Sequence, residues 1–106
     1  MNIAFTNVPP DRADAIARAL VEEGLVACVK AYPVRSTYRW KGRLEVEAET
    51  TLLMKVGTEG VRRLRDRLRE LHPYELPEFV VLAVDVQRSL DEYVAWVRSE
   101  SGGAIA

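Results

Sequence analysis

The sequence predicts one α+β domain spanning residues 1–106, a ferredoxin-like βαββαβ sandwich with a long hairpin between its second and third strands and an extra C-terminal helix. Three observations carry this. Strand-like and helix-like segments follow one another in that order. Two unusually long β-rich arms meet at Lys41-Gly42, and a further amphipathic segment follows the last strand.

Each element has its own signal. Asn2–Val8 places Ile3, Phe5 and Val8 among small polar residues and is stopped by Pro9-Pro10, as a strand would be. Asp11 is a candidate cap for a helix whose Ala13, Ile16, Ala17, Leu20 and Val21 form one apolar stripe, and Gly24 suits the left-handed residue after its end. Leu25 to about Trp40 is rich in β-formers, and after the turn Leu44, Val46 and Ala48 alternate with polar residues before the run Thr50–Val56. Each arm reaches about 14 residues, or roughly 45 Å at 3.3 Å per residue. Ordinary strands have five or six residues.

Thr58 is a candidate cap for a second helix with Val61, Leu64, Leu68 and Leu71 on one face, and Pro73 limits it to about His72. The nearly unbroken apolar run Phe79–Val84 reads as a central strand covered on both faces, or as one buried against helices. Ser89–Glu92 reads as a capping box opening a last helix with Leu90, Tyr93, Val94 and Val97 inward and Gly102-Gly103 at its end. Helices of four turns cover only about 20–25 Å of sheet, so the far end of the hairpin has nothing in its own chain to lie against. A closed homo-oligomer is the expected remedy for such an edge.

Composition narrows the function classes. Hydrophobic residues make up 48% and charged residues 29% of the chain, which disfavours disordered and coiled-coil readings. Fifteen basic and sixteen acidic side chains leave a formal charge of −1, so no global field draws the protein to nucleic acid or to an acidic membrane. The single cysteine excludes an intrachain disulfide and suits a reducing cytoplasm. Neither a signal peptide nor a membrane span is expected.

Candidate site residues come from several segments. His72-Pro73-Tyr74-Glu75-Leu76-Pro77-Glu78 projects a histidine, a tyrosine and carboxylates from a backbone held by two prolines; it is either a presentation loop or a stiff helix-to-strand connection. Cys28 early in its strand is either a small hydrophobe or a soft metal ligand. With His72 and with Glu78 or Met54 it would suit copper, but no C-x₂-C spacing is present, so such a site would join distant segments or different subunits. There is no nucleophile elbow, no phosphate-cradling glycine loop and no H-E-x-x-H, and a non-enzymatic protein is expected. The arginines of 62–69 are interleaved with acids, as on a salt-laced solvent face. Tyr32, Tyr38 and Trp40 on the hairpin would stack a ring or pack at an interface. Lys55, within an apolar strand, either meets a carboxylate such as Glu49 or Glu78 or holds an anionic ligand.

Taken in order, Leu20-Val21 with Gly24–Val29, Tyr38-Arg39-Trp40-Lys41-Gly42, Glu49 before Leu53-Met54-Lys55, His72-Pro73-Tyr74 with Pro77-Glu78, and Tyr93 with Trp96 resemble the CutA divalent-cation-tolerance family nearly end to end. The resemblance implies a tight homotrimer similar in architecture to the PII signalling proteins, and a role in tolerance of copper and other divalent cations. It further implies Cys28, His72 and Glu78 as metal-contacting candidates, with Lys55, Tyr74, Tyr38, Trp40 and Glu49 lining a cleft between subunits. Lys30 stands where the family commonly has asparagine. A positive charge beside Cys28 favours a thiolate but repels a metal, which makes a small anionic metabolite in the cleft an alternative ligand.

Overall fold

The computed structural model describes residues 1–101 of the chain. Its strands are β1 (Asn2–Val8), β2 (Cys28–Trp40), β3 (Arg43–Val56) and β4 (Val80–Ala83), and its helices are α1 (Ala13–Glu22), α2 (Val61–Leu71) and α3 (Asp91–Glu100). The sheet order is β2-β3-β1-β4 with every neighbouring pair antiparallel, the ferredoxin-like arrangement expected from the order of the elements.

Period-two alternation decides which sheet face is buried. Ala4 and Val8 on β1 and Leu52, Met54 and Val56 on β3 point to one side, where they pack with Ile16 and Leu20 of α1 and Leu64 and Leu68 of α2. The residues between them, among them Asn7, Glu49, Thr51 and Lys55, face the other side, which α1 and α2 leave open. The C-terminus of α1 closes as a Schellman motif. Gly24 takes a φ of 72°, its N–H donates to Val21 O at 3.0 Å, and Leu25 N–H donates to Leu20 O at 3.0 Å.

The hairpin turns on Lys41 (φ 51°) and Gly42 (φ 79°), both left-handed, which is the type I′ geometry that matches strand twist. Its register runs from Cys28↔Lys55 to Trp40↔Arg43. Because β1 pairs with β3 only as far as Val8↔Thr50, residues Val34–Trp40 and Arg43–Glu49 form a two-stranded projection beyond the sheet. The longest dimension of the molecule is accordingly 44 Å.

Several local expectations need correction. The run around β4 is neither central nor covered: β4 is an edge strand, and Val80, Val81 and Leu82 are 49%, 37% and 51% exposed in the single chain. An apolar run reports that a strand is to be buried, but not by which partner. The proposed caps also act differently. Asp11 and Thr58 lie in single 3₁₀ turns that lead into α1 and α2, and neither caps those helices with its side chain. Thr58 Oγ1 instead accepts from the N-terminal ammonium at 2.8 Å. Ser89 Oγ donates to Asp85 O at 2.8 Å, Leu90 occupies the N-cap position of α3 without a side-chain cap, and Leu90 is 67% exposed rather than inward. The Gly102-Gly103 stop lies outside the described residues.

The end of α3 docks on the turn after β3 through a buried contact. Gly57 N–H donates to Ser101 Oγ at 2.8 Å, and Ser101 Oγ donates to Val97 O. Gly60 lies against this junction, where an added Cβ would stand 2.5 Å from Ser101 O and 3.3 Å from Val56 Cγ2. Gly60→Ala is therefore expected to push α3 off the sheet and to lower the unfolding midpoint, whereas Gly42→Ala, with open space around its Cβ, carries only the strain of a positive φ. Thermal unfolding of both variants checks this. A Gly60→Ala protein as stable as the parent would refute it.

Candidate functional site

Where β1 ends and the hairpin continues alone, the sheet has a step, and the loop His72–Phe79 lies across it. The loop's path is set at its first residue. His72 is extended (ψ 131°), as the following proline requires, while its N–H still donates to Leu68 O at 2.8 Å and closes α2.

The imidazole then anchors the loop. His72 is only 7% exposed. Its Nε2 lies 2.9 Å from Asn7 O and 3.1 Å from Thr6 Oγ1, and its Nδ1 accepts from Tyr74 N–H at 3.3 Å. A carbonyl on one nitrogen and an N–H on the other select the neutral tautomer protonated at Nε2. Burial pushes the His72 pKa down from 6.5, against smaller opposing effects of the Asn7 carbonyl and Glu49. The unfolded chain then binds more protons than the folded one below about pH 6.5, so this contribution to stability is present above that pH and is lost as pH falls through the folded value. Thermal midpoints of the parent should drop more between pH 7.5 and pH 5.5 than those of His72→Gln. Equal slopes would refute the assignment.

Beyond His72, tyrosines, carboxylates and Asn7 gather in separate hydrogen-bonded groups. Tyr74 Oη donates to Glu49 Oε2 at 2.7 Å, and Tyr38 Oη donates to Glu47 Oε1 at 2.5 Å. Asn7 links strand and loop, since its Nδ2 donates to Glu78 Oε1 at 3.3 Å and its Oδ1 accepts from Thr51 Oγ1 at 2.6 Å. Asn7, Tyr38, Trp40, Glu47, Glu49, Tyr74 and Glu78 line a cavity of about 750 Å³ beside the projecting hairpin, and Arg39 and Glu75 line it too. Glu49 is 5% exposed.

The site's electrostatics are those of crowded negative charge. Burial, and then the charge of Glu49, raises the Glu78 pKa above 4.5. The hydrogen bond to Glu47 comes first among the causes that push Tyr38 up to about 12. Tyr74 is raised further still, by burial first and then by Glu49. Among the described residues, no lysine or arginine forms an ion pair with Glu47, Glu49 or Glu78, although Arg39 lines the same cavity; Glu75, also in the lining, pairs with Lys41 at 3.9 Å.

Of the residues expected to form a site, the structure joins Tyr38, Trp40, Glu49, Tyr74 and Glu78 in this cavity, with His72 behind Tyr74. Cys28 and Lys55 are elsewhere. They face each other across the β2–β3 register, six residues along β3 from Glu49, a separation of about 20 Å at 3.3 Å per residue. There Lys55 Nζ donates to Tyr93 Oη at 3.1 Å and lies 4.9 Å from that ring's centre, and Cys28 Sγ is 3.7 Å from Tyr93 Oη. Lys55 thus meets a phenol rather than Glu49 or Glu78. Cys28, His72 and Glu78 do not converge within one chain, and among the described residues no three His, Cys, Asp or Glu side chains are placed to hold a metal ion.

Asn7, Glu47 and Thr51 were not singled out by the sequence reading. Glu47 carries a usable signal, since it shares the open face with Glu45 and Glu49 by alternation. Asn7 gives only its position before Val8-Pro9-Pro10, and its role depends on the distant loop. The arginine helix is a solvated face, as expected, and Arg67 makes a bidentate pair with Glu23 of the turn after α1, at 2.8 and 2.9 Å.

Comparison with known proteins matches residues 2–100 to the model of the CutA1 divalent ion tolerance protein family. The chain belongs to that family. It is 39% identical over 102 residues to the divalent-cation tolerance protein CutA of Thermus thermophilus, covering 94% of this chain and 97% of that one. It is 39% identical over 100 residues to the human protein CutA, where the match covers 92% of this chain and 55% of the human one. Among solved structures it superposes on the PII-like protein CutA from Nostoc sp. PCC 7120, described as an apo form, with a TM-score of 0.94 and 58% identity over 95% of this chain and 97% of that one. Family membership therefore extends over the whole hairpin, the loop His72–Phe79 and α3. No helix among the described residues is long and apolar enough to cross a membrane.

Proposed function

We propose that this protein serves divalent-cation tolerance or response as a non-enzymatic homo-oligomer, and that it recognises cations in the cavity lined by Glu47, Glu49 and Glu78. The observation that carries this reading is a carboxylate as buried as Glu49 next to two others, with no lysine or arginine paired to any of the three among the described residues. Such an arrangement costs free energy unless a cation offsets it. The donors are carboxylate, phenol and amide oxygens, which suit hard cations better than copper. Copper held by Cys28, His72 and Glu78 finds less support, because both His72 ring nitrogens already have partners and Cys28 lies on the far part of the sheet.

Support for self-association comes from the apolar groups left uncovered on β4 and from Leu44 and Val46 near the hairpin tip, 71% and 56% exposed. A trimer is the assembly we propose, with cytoplasmic placement suited to the single free thiol.

Calorimetric titration of the assembled protein with Zn²⁺, Mn²⁺ and Cu²⁺ tests the site. Binding should persist in Cys28→Ala and weaken about ten-fold or more in Glu49→Gln combined with Glu78→Gln, as expected when charge-assisted contacts are lost. Affinity should also fall on acidification toward pH 4.5, because Glu78 takes up its proton at a higher pH than an ordinary glutamate and a cation must displace it. Loss of binding in Cys28→Ala with none in the glutamine variant would return the site to the thiol.

A second reading rests on Lys55, whose ammonium meets only a tyrosine hydroxyl and has no carboxylate partner among the described residues. A small anionic metabolite placed over Lys55 would complete it. A thermal-shift screen of nucleotides and carboxylates tests this, since a ligand at 100 times its Kd stabilises by about 2.7 kcal/mol.

A further inference from the structure

We infer that Tyr93 competes with an anion for the Lys55 ammonium, so that an anion bound there releases the N-terminal half of α3 from the sheet. This rests on the anionic-metabolite reading of Lys55 above and names how that site is regulated.

The first argument is the way α3 is held. Its C-terminal end is anchored: Val97 and Ser101 are fully buried, Ser101 Oγ accepts from Gly57 N–H at 2.8 Å, and Gly60 lies against Ser101 O. Its N-terminal end has no such anchor. Leu90, at the N-cap position, makes no side-chain cap and is largely exposed. Among the described residues, Asp91, Glu92, Arg98 and Glu100 form no ion pair. Tyr93 supplies the side-chain hydrogen bonds that tie the first two turns of α3 to the strands, accepting from Lys55 Nζ at 3.1 Å and meeting Cys28 Sγ at 3.7 Å. Without that tie, the start of the helix can pivot about Val97 and Ser101.

The second argument is the quality of the Lys55 contact. An ammonium has three protons to give, and here it meets one neutral phenol oxygen and the face of the same ring, 4.9 Å from its centre. An anionic oxygen binds it more strongly, because two opposite charges replace a charge and a dipole. Lys55 is fixed in the sheet, in register with Ile3 of β1 and Cys28 of β2, so the helix is the part that yields. Tyr93 is already 36% exposed, and its displaced hydroxyl turns to water rather than being left without a partner.

Competition for one ammonium makes the coupling reciprocal. Loosening α3 must tighten anion binding by the factor by which the anion loosens α3. Nothing in this requires a second conformation of the sheet.

The test uses the full-length assembled protein with two probe anions, pyrophosphate and citrate, which separate a phosphate ligand from a carboxylate one. Affinity is measured by calorimetry, and the mobility of α3 by hydrogen exchange read by mass spectrometry. A probe should bind and speed exchange in the first two turns of α3 about ten-fold, while the amides of β1 and β3 stay unchanged. Tyr93→Phe, which keeps the ring and removes the hydroxyl, should show the faster exchange without any anion and bind the probe about ten-fold tighter. Lys55→Gln should bind neither probe, with thermal unfolding to confirm that it is folded.

Binding that needs Lys55 but leaves α3 exchange unchanged overturns the inference and leaves the anion reading standing. So does equal affinity in Tyr93→Phe and parent. Binding of neither probe to parent or Tyr93→Phe overturns both, as does binding that Lys55→Gln leaves intact.

Discussion

Leu52→Ala is expected to cost about 2–5 kcal/mol of stability and to lower the thermal midpoint by about 4–8 °C for each kcal/mol lost. Leu52 is fully buried in β3, on the face covered by α1 and α2, and it sits in the register between Thr6 of β1 and Ala31 of β2. Truncation leaves a cavity in the middle strand of three, where the paired neighbours hold the backbone and prevent collapse onto the gap. Chemical denaturation followed by circular dichroism, at fixed protein concentration because association adds to apparent stability, gives the number. A loss under about 1 kcal/mol would mean that the core relaxes around the site far more than a close-packed interior allows.

The second large effect concerns association. Val80→Asp with Leu82→Asp is expected to convert the proposed homo-oligomer to monomer at micromolar concentration, as read by size-exclusion chromatography with light scattering. Both side chains are about half exposed in the isolated chain, so two carboxylates there cost the single fold little but would be desolvated without partners in an apolar interface. The secondary structure should survive, measured by far-UV circular dichroism. The same oligomer in variant and parent would remove β4 from the interface, and a parent that is itself monomeric would remove the assembly altogether.

The two effects differ because Leu52 and Leu82 are alike in chemistry and unlike in surroundings. Both sit in apolar runs, and both read equally well as buried positions. Leu52 belongs to an alternating segment between two paired strands and meets the helices of its own chain. Leu82 lies on an edge, with β1 on one side only.

The hairpin was legible almost to the residue, because Lys41-Gly42 specifies its turn and alternation specifies its register. The helical stripes were equally clear. Caps at Asp11, Thr58 and Ser89 were misread, because each side chain has a choice of nearby partners and the local 3₁₀ turns decide among them. The site was legible in part. Tyr38, Trp40, Glu49, Tyr74 and Glu78 do meet in one cavity, while Cys28 and Lys55 sit some six residues further along β3 with Tyr93. Separation along a strand is countable from sequence only once the register is known.

The order of elements, the turn at Lys41-Gly42, the alternation that sends Leu52, Met54 and Val56 to one face and Glu49, Thr51 and Lys55 to the other, and the family of the chain can all be read from the residues in order. These depend on short-range sterics and on period, which each segment carries alone. Folding was needed to make His72 an anchor, with a carbonyl on one nitrogen and the Tyr74 N–H on the other, and to bury the Glu49 carboxylate with no ion-pair partner among the described residues. Those properties arise from contacts between β1, β3 and a loop many residues away, and desolvation and charge pairing exist only after the chain has closed around them.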